Sequence, residues 1–377
     1  MFITILIFVL VLSVLIFAHE AGHFFSARRL GIKVDEFGIG FPPRVFSVYK
    51  NKEGRWRKIF GNKKIEDNSD VIYSINAFPI GGFVKIKGEN GDESGDKDSF
   101  ASQKIWKRAI VISAGVIMNI VLAWILISIN LMIGSHQSID QSKTPKGVKV
   151  SEPVVRIFQV VSDSPASNAG LMPMDVIMDI NGEMVNDEEK VKSAIDSSSE
   201  EITITVDREG ELINLSLAPE FDEDLGRNIV GIGMANTSFV KYPWYLALIE
   251  GFKNTFAFLW LIVYTLFDML RGLIIGQPMN VEVAGPIGIA VLTGDMARMG
   301  IVYLIHFTAL LSLNLAIINI LPFPALDGGR LLFLLIERIK GSPIKQSVEA
   351  LLNNFGFMLL MLLVVFVTFK DIIGLFN

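Results

Sequence analysis

The chain lacks cysteine: none occurs among its 377 residues. This absence excludes disulfide bridges, thiolate nucleophiles and cysteine-ligated zinc sites, so a bound metal ion would require histidine and carboxylate ligands. Histidine is also scarce, at four residues, and charged residues make up only 19% of the sequence. The net charge of −5 gives no electrostatic reason to expect a nucleic acid as a partner.

Apolar residues, in contrast, are abundant: they make up 51% of the chain and give a mean hydropathy of +0.48. This composition predicts an integral membrane protein surrounded by the lipid bilayer. A transmembrane helix requires roughly 20 consecutive, mainly apolar residues. We predict four such helices, at residues 1–25, 105–133, 300–329 and 354–376. The first has no basic N-terminal region and no convincing cleavage site, which favours a retained span over a signal peptide.

A fifth hydrophobic stretch, Trp244–Ile275, carries polar residues at helix-like intervals. Its longest uninterrupted apolar run is too short to cross a bilayer comfortably. We therefore predict that residues 242–280 form a helix lying along the membrane interface, with a fifth span as the alternative. The interrupting residues are Glu250, Lys253, Asn254, Asp268 and Arg271.

The loop charges predict the orientation, because Lys and Arg concentrate on the cytoplasmic side of a membrane. Residues 24–108 contain 17 Lys and Arg against 11 Asp and Glu, whereas residues 135–243 contain 9 against 19. The loop at 26–104 is therefore expected inside, and the segment at 135–243 outside. The loop at 330–353 is also expected inside, because of Arg330, Arg338, Lys340 and Lys345.

The first predicted span contains the sequence HEAGH at residues 19–23, an H-E-x-x-H motif. On a helix, His19 and His23 share one face and can ligate one Zn²⁺, while Glu20 can act as a general base. Five-residue motifs also arise by chance. In a helix of Ile, Leu, Val and Phe, however, unpaired ionisable groups are costly, and such residues are usually functional.

Two histidines leave a third protein ligand to find, and Asp327 is the candidate. It lies in NILPFPALDGG, where prolines and glycines interrupt the helix after the third span. Such irregular backbone is tolerated at membrane depth where it is buried or lines a cavity. The alternative is an ordinary aspartate at the start of the next helix. We predict one Zn²⁺ per chain, held by His19, His23 and Asp327.

These motifs, together with ARRLGIKVDEFGIGFPP, AFPIGGFVKIKGE and VAGPIGIA, resemble the site-2 protease family of intramembrane zinc metalloproteases, which includes the bacterial regulator-of-sigma-E proteases. The resemblance covers nearly the whole chain. It implies His19, His23 and Asp327 as zinc ligands and Glu20 as the general base. It also implies cleavage of transmembrane segments of single-pass proteins, such as anti-sigma factors or remnant signal peptides. The implied location is the bacterial inner membrane, with the active site toward the cytoplasm.

A protein of another class is the alternative: a non-catalytic, zinc-binding membrane scaffold, or a transporter-like protein with a PDZ module. A transporter is expected to carry ionisable groups through several of its spans. Here such groups cluster at one depth, and Glu20 lies where a base is required. We therefore favour the protease.

A helical substrate must be extended before hydrolysis, and two β-rich segments at 34–49 and 71–87 offer a strand edge for it. The resemblance implies a membrane-re-entrant β element here. The alternative is a small cytoplasmic sheet without substrate contact. Asn314 and Asn319, in the third span, bind either neighbouring helices or the substrate backbone. The candidate substrate-binding residues are thus Phe37, Gly38, Gly40, Gly81, Gly82, Asn314 and Asn319.

Residues 148–220 are acidic and read as strand, short helix, two short strands, helix and hairpin, an order that resembles a PDZ domain. The expected groove lies between a strand at Val154, Val155, Arg156 and Ile157 and the helix at 188–196, where a peptide C-terminus could bind. The alternative role is a size filter that excludes substrates with an intact outer domain. Many family members have two such stretches, so the single copy leaves substrate gating open. The predicted fold class is an α-helical integral membrane protein with four transmembrane helices, a membrane-associated β element and an inserted PDZ-like α+β domain.

Overall fold

A computed structural model of the chain describes residues 2–63, 65, 68–89, 95–138, 145–198, 200–208, 210–222, 226–276 and 284–374. The ends of two predicted regions, 277–280 and 375–376, lie outside the described residues, as do 64, 66–67 and 90–94 in the first loop. The chain divides into two compact units. One comprises residues 1–127 and 250–377, and the other residues 128–249.

The described residues contain nine helices. They are α1 (Phe2–Arg29), α2 (Ile105–Ile133), α3 (Pro165–Asn168), α4 (Glu188–Asp196), α5 (Trp244–Ile275), α6 (Pro286–Met299), α7 (Ile301–Ile320), α8 (Asp327–Lys340) and α9 (Gln346–Gly374).

The strands of the first unit are β1 (Val34–Lys50), β2 (Trp56–Phe60) and β3 (Ile72–Ile86). Those of the second unit are β4 (Ser135–Gln137), β5 (Lys149–Val150), β6 (Val154–Val160), β7 (Val176–Ile180), β8 (Glu183–Met184), β9 (Ile202–Arg208), β10 (Glu211–Leu217), β11 (Glu220–Asp222), β12 (Arg227–Ile229) and β13 (Ile232–Lys241).

Five helices are long and apolar enough to cross a membrane by length and composition, namely α1, α2, α5, α7 and α9. Four of them correspond to the four predicted spans. The third predicted span, 300–329, is divided: α7 ends at Ile320, and α8 begins at Asp327 after the proline-rich turn. The predicted interfacial stretch is one continuous helix, α5, and no residue of its most apolar window is buried.

Small residues allow α1 and α2 to approach closely. A Cβ atom at Gly22 would collide with the backbone of Ala114 and Gly115. Because lipid tails are as apolar as leucine, close packing of this kind supplies much of the association energy between membrane helices. The contact lies beside the two histidines of α1, so it also sets which part of α2 faces them.

The first sheet is more folded than its three-strand order, β2-β1-β3, indicates. Ile39 pairs with Gly82 on one side and with Ile75 on the other, and Phe46 pairs again with Ile75. Thus β1 and β3 each turn back on themselves. The start of β1 lies in the middle of the sheet, between the two halves of β3, and β2 covers the end of β1. Both predicted β-rich segments are confirmed as strands.

The second unit contains a sheet in the order β10-β9-β7-β6-β13-β4. Its core comprises apolar residues that alternate inward along the strands, together with Val191 and Ile195 of α4. The predicted order of elements within 148–220 is observed. The predicted end at residue 220 is wrong, because β13 completes the sheet by pairing with β6 from Ile232 to Thr237. This strand lies beyond the hairpin and pairs with a strand much earlier in the sequence. No local sequence pattern indicates such a pairing.

The N-terminus of α6 is capped by a side chain from another helix. Its N-cap residue, Gly285, has no side chain to satisfy the first amides. The carboxylate of Asp371 near the end of α9 accepts hydrogen bonds from Gly285 N at 3.0 Å and from Gly288 N at 2.8 Å. A carboxylate at this end also interacts favourably with the helix dipole.

We expect Asp371→Ala to destabilise the helical unit by about 1 kcal/mol, the usual effect of losing an N-cap. For a unit of about 255 residues that corresponds to a fall in thermal midpoint of roughly 2 °C. The measurement is thermal unfolding of the purified full-length protein, with the exposed neighbour Lys370→Ala as the matched control. Equal midpoints for the two variants would show that the Asp371 carboxylate contributes no capping.

Candidate metal centre

His19 and His23 lie one turn apart on the same face of α1, as their spacing predicts. Their Nε2 atoms are 3.2 Å apart, and the rings meet nearly edge to face. Both side chains are largely buried, at 11% and 12% exposure. Two buried imidazoles aimed at one point require a shared partner.

Asp327 supplies that partner from the first turn of α8. Its Oδ2 atom lies 3.1 Å from His19 Nε2 and 3.4 Å from His23 Nε2. The turn before it brings α8 back against the end of α7, since a Cβ atom at Gly328 would overlap the carbonyls of Ile320 and Leu321. Only glycine fits there. The interruption of the helix therefore aims the carboxylate at the histidines, as predicted.

The donor set fits a zinc ion. The ligand atoms of His19, His23 and Asp327 lie within 4.8 Å of one another, and these residues form the only such group of three or more found in the described part of the chain. Tetrahedral zinc with bonds of about 2.0 to 2.2 Å needs ligand atoms roughly 3.3 Å apart, close to the distances given above. Asp327 Oδ2 is buried without a directed hydrogen bond, which suits an atom reserved for a cation.

Helix α2 supports the histidines from behind. The ring of His23 donates a hydrogen bond from Nδ1 to the carbonyl of Val111 at 2.8 Å, which leaves Nε2 free to ligate. At Gly115 a Cβ atom would overlap His23 Nε2 and lie 2.8 Å from His19 Cε1. Sequence reasoning missed both positions, because neither carries a chemical group that identifies it.

A cavity of about 200 Å³ adjoins the three ligands and is also lined by Glu20, Phe83 and Arg330. Glu20 is thus placed beside the metal position, where a general base is needed. Arg330 forms an ion pair with Glu89 at the wall of this cavity, another feature that the sequence alone did not indicate. A larger cavity of about 540 Å³ shares the Arg330 and Glu89 wall.

The candidate substrate residues fall into two groups. Gly81 and Gly82 lie on the returning half of β3, and within the described residues no strand pairs with the outer edge of 82–86. The Cα of Gly82 lies close to α1, since a Cβ atom there would be 3.7 Å from Glu20 Cγ. This is the sheet edge beside the metal centre.

Phe37, Gly38 and Gly40 are placed differently. Phe37 and Gly38 pair with β3 on both sides, so they offer no free strand edge, and the Phe37 ring packs 5.5 Å from that of Phe17. The carbonyl of Gly40 accepts a hydrogen bond from Asn76 Nδ2 at 2.9 Å. The prediction of edge contacts for these three residues is wrong, because the fold-back of β3 covers them.

Asn314 and Asn319 do not share a face of α7. They are five residues apart, a rotation of roughly 140° about the helix. Asn314 is exposed, and its amide donates to the carbonyl of Leu310 at 3.0 Å; Asn319 is half-buried. Asn314 thus points away from neighbouring helices, whereas Asn319 lies one residue before the end of α7.

In the inserted domain, the predicted groove strand at Val154–Ile157 is interior. Val155 pairs with Asn236 of β13 and with Ile177 of β7, so this prediction is wrong. The strand with a free side is β13, for which the described residues show only β6 as the neighbour of Ile232–Thr237. This stretch lies against α4.

The link between β13 and α4 is polar. Asn236 accepts from the amide of Glu188 at 3.0 Å and donates to Asp187 at 3.0 Å. The hydrogen bond from Asn236, followed by that from the amide of Glu189, holds the pKa of the Asp187 carboxyl below its usual value. Asp187 therefore remains an ionised N-cap of α4 at neutral pH.

Taken with apolar helices of spanning length, this geometry defines a membrane-embedded site of the zinc metallopeptidase class. The model of peptidase family M50 matches residues 7–363. The chain belongs to this family, and it is a zinc metalloprotease of the site-2 protease type and a multi-pass membrane protein. This confirms the resemblance inferred from the motifs and the prediction of a zinc metalloprotease.

Similar proteins extend over the whole chain. The regulator of sigma-W protease RasP of Bacillus subtilis is 29% identical, over 99% of this chain and 99% of its own. Putative zinc metalloproteases of Clostridium acetobutylicum and a Nostoc species are 31% and 34% identical, over 99% and 96% of this chain and 98% and 93% of their own. A PDZ domain from Listeria monocytogenes is similar to this chain over 23% of this chain's length and 92% of its own length, with 21% identity and a TM-score of 0.21.

We expect Gly115→Ala to weaken zinc binding by about tenfold or more, because the new methyl group displaces the two imidazole rings. The measurement is Zn²⁺ affinity of the purified protein by competition with a chelator. Gly272→Ala in α5, where a Cβ meets no atom within 4 Å, is the matched control. Wild-type affinity in Gly115→Ala would mean that the rings can shift without losing the metal.

Proposed function

We propose that this metalloprotease hydrolyses transmembrane segments of single-pass membrane proteins, with one zinc ion per chain. The observation that supports this most directly is the position of the ligands: His19 and His23 lie within the long apolar helix α1, and Asp327 begins α8 just after the apolar helix α7. A site at membrane depth is suited to a substrate segment at the same depth. The name of the relative from Bacillus subtilis, a regulator of sigma-W protease, favours membrane-anchored regulators as substrates; remnant signal peptides are a second class.

The chemistry divides between the metal and Glu20. His19, His23 and Asp327 would hold a zinc ion, which would supply Lewis acidity toward the scissile carbonyl and favour ionisation of water. Glu20 lines the same cavity as the ligands, so its carboxylate can accept the proton of the attacking water and deliver it to the departing amine. Asp327 and the histidines hold the ion, and Val111 fixes the orientation of His23.

The substrate is held in extended form by the edge of β3. A transmembrane helix hides its carbonyls in internal hydrogen bonds, so it must unwind before hydrolysis. Residues 82–86 offer an unpaired strand edge beside Glu20, and pairing with it places the unwound peptide along the metal cavity. Phe41 and Phe78, at the tip of the sheet, are 50% and 60% exposed, which suits insertion of this tip into lipid.

Water reaches the site from the cytoplasmic side through the larger cavity. Its lining includes Arg108, Glu337 and Glu349, in addition to the pair Arg330 and Glu89. The loop charges at 26–104 and 330–353 favour a cytoplasmic position for these residues. The protein is accordingly assigned to the bacterial inner membrane, with the metal centre toward the cytoplasm and the inserted domain outside.

Contacts of α6 support an interfacial α5 rather than a fifth crossing. The start of α6 binds Asp371 near the end of α9, and Gly294 packs against Thr4 near the start of α1. Because α1 and α7 both run toward the metal centre, these are outer-side positions. The chain from Gly276 to Ala284 reaches at most about 28 Å, slightly less than the roughly 30 Å of hydrocarbon, which favours an end of α5 near the outer side.

We expect Glu20→Gln to keep zinc and lose cleavage. Glutamine preserves the shape of the side chain but cannot accept the proton, a loss of at least about 10²-fold in rate. The measurements are the zinc content of the protein and the cleavage of a model transmembrane peptide in detergent. His19→Ala is the companion variant and is expected to lose both. Cleavage at the wild-type rate by Glu20→Gln would remove Glu20 from the mechanism.

For the inserted domain we propose capture of a peptide C-terminus between β13 and α4. The free side of Ile232–Thr237 supports strand addition, and trimming a protein whose C-terminus is outside generates a new terminal carboxylate there. The competing role is a size filter. Tyr242 N donates to Leu131 O at 2.9 Å, so the two ends of the insertion are adjacent and residues 134–241 can be replaced by a short glycine-serine linker.

We expect this replacement to lower the cleavage rate of a trimmed substrate about tenfold or more, because strand pairing no longer tethers the substrate. The measurement compares trimmed and intact substrates reconstituted in vesicles with either protein. The matched control is a trimmed substrate with an amidated C-terminus on the unaltered protease, which should be cut equally slowly. Rapid cutting of intact substrates by the shortened protein would instead identify a size filter.

A further inference from the structure

One face of α2 presents three positions to the two histidines. Val111, Gly115 and Asn119 recur at four-residue intervals on α2, and His19 and His23 have the same spacing on α1. The helices run in opposite directions, so Val111 meets His23, Asn119 meets His19, and Gly115 lies between the rings. The contact with Val111 orients His23 for metal binding. The contact between Asn119 and His19 holds the equivalent position at the other ring.

Asn119 is completely buried, at 0% exposure, in a largely apolar helix. Its Nδ2 lies 3.2 Å from His19 Nδ1, while its Oδ1 is buried without a hydrogen-bond partner. A buried acceptor of this kind costs free energy unless a donor reaches it. The His19 ring, whose Nδ1 lies 3.2 Å from the amide, can supply this donor.

The tautomer of His19 decides which atom of Asn119 should face it. The Nε2 atom of His19 is aimed at Asp327 and must carry a lone pair to ligate a metal. A neutral imidazole with a free Nε2 carries its proton on Nδ1. An amide N–H facing that proton would be repulsive, whereas rotating the amide by 180° brings Oδ1 to the donor. The two orientations differ only in the assignment of N and O.

We propose that Asn119 is a positioning residue for the zinc site, whose Oδ1 accepts the Nδ1–H of His19 and so fixes Nε2 toward the metal. The backbone carbonyl of Val111 orients His23 in the same way. Partners of this type hold the ring orientation and raise the basicity of the ligand. A neutral amide does so without adding a second buried negative charge beside Asp327.

The backbone of Asn119 links the same point to the third ligand. Its carbonyl accepts a hydrogen bond from Ser312 Oγ of α7 at 2.8 Å, and both residues are fully buried. Helix α7 leads directly into the turn that carries Asp327. Asn119 therefore contacts α1, which carries the histidine ligands, through its side chain. It contacts α7, which leads to the aspartate ligand, through its main chain.

The test is the Zn²⁺ affinity of the full-length protein in detergent, measured by competition with a chelator. We expect Asn119→Leu, which keeps the size but has no acceptor, to bind Zn²⁺ 10- to 100-fold more weakly. In Asn119→Asp the ionised carboxylate can accept a hydrogen bond from His19 but cannot donate one. We therefore expect its Zn²⁺ affinity to be within about threefold of wild type, or higher. Asn130→Leu, which removes another buried amide of α2, is the matched control and should retain wild-type affinity.

Two results would overturn the proposal. Wild-type affinity in Asn119→Leu would show that no acceptor is needed, and equal losses in Asn119→Asp and Asn119→Leu would show that the amide acts as a donor. If Asn119→Leu does not fold, the proposal is tested by comparing the Zn²⁺ affinity of Asn119→Asp with that of the wild type. The readout is metal binding, so a failure here is distinguishable from a failure of the proposed substrate class, which only cleavage assays report.

Discussion

The fold of the helical unit depends on one constraint, that ionisable groups inside an apolar helix must find partners within the protein. Lipid offers none, and each unpaired polar group there costs several kcal/mol. In α1 the constraint is met by other helices: Val111 accepts from His23, and Asp327 lies between the two rings. The close approach of α1 and α2 at Gly22, and the sharp turn before α8 at Gly328, exist because these partners must come within bonding distance.

The same need explains why the helix after α7 is broken. A carboxylate on a continuous α7 would project at a fixed angle set by the helix, whereas the turn at 321–326 lets α8 begin with its first side chain aimed at the histidines. The cost of the irregular backbone is limited: Leu321 still donates a hydrogen bond to the last turn of α7, and Phe323 and Leu326 donate to carbonyls within the turn. Catalytic geometry is here obtained from backbone interruption rather than from a loop on the surface.

Much of the site could be read from the sequence, because its signals are local or chemically rare. Two histidines four residues apart fix a shared helix face, and Asp327 stands out beside glycines and prolines. The supporting contacts could not be read in the same way. In the sequence, Asn119 looks like any polar residue of a membrane span and Gly115 like any small residue. Their roles follow only from the register of α2 against α1, which brings them to the histidines. Phe37 and Gly38 were assigned to a free edge because alternation reveals a strand but not its neighbours, and β13 was omitted because its partner, β6, lies some 75 residues earlier.

The cap of α6 has a bearing on how the protein is made. The amides of Gly285 and Gly288 are satisfied by Asp371, which is 86 and 83 residues further along the chain. During synthesis α6 is therefore made before the carboxylate that caps it, and its leading amides have no side-chain cap until α9 follows. The bundle around α1 is thus completed only once α9 has been made, so a later helix fixes the start of an earlier one.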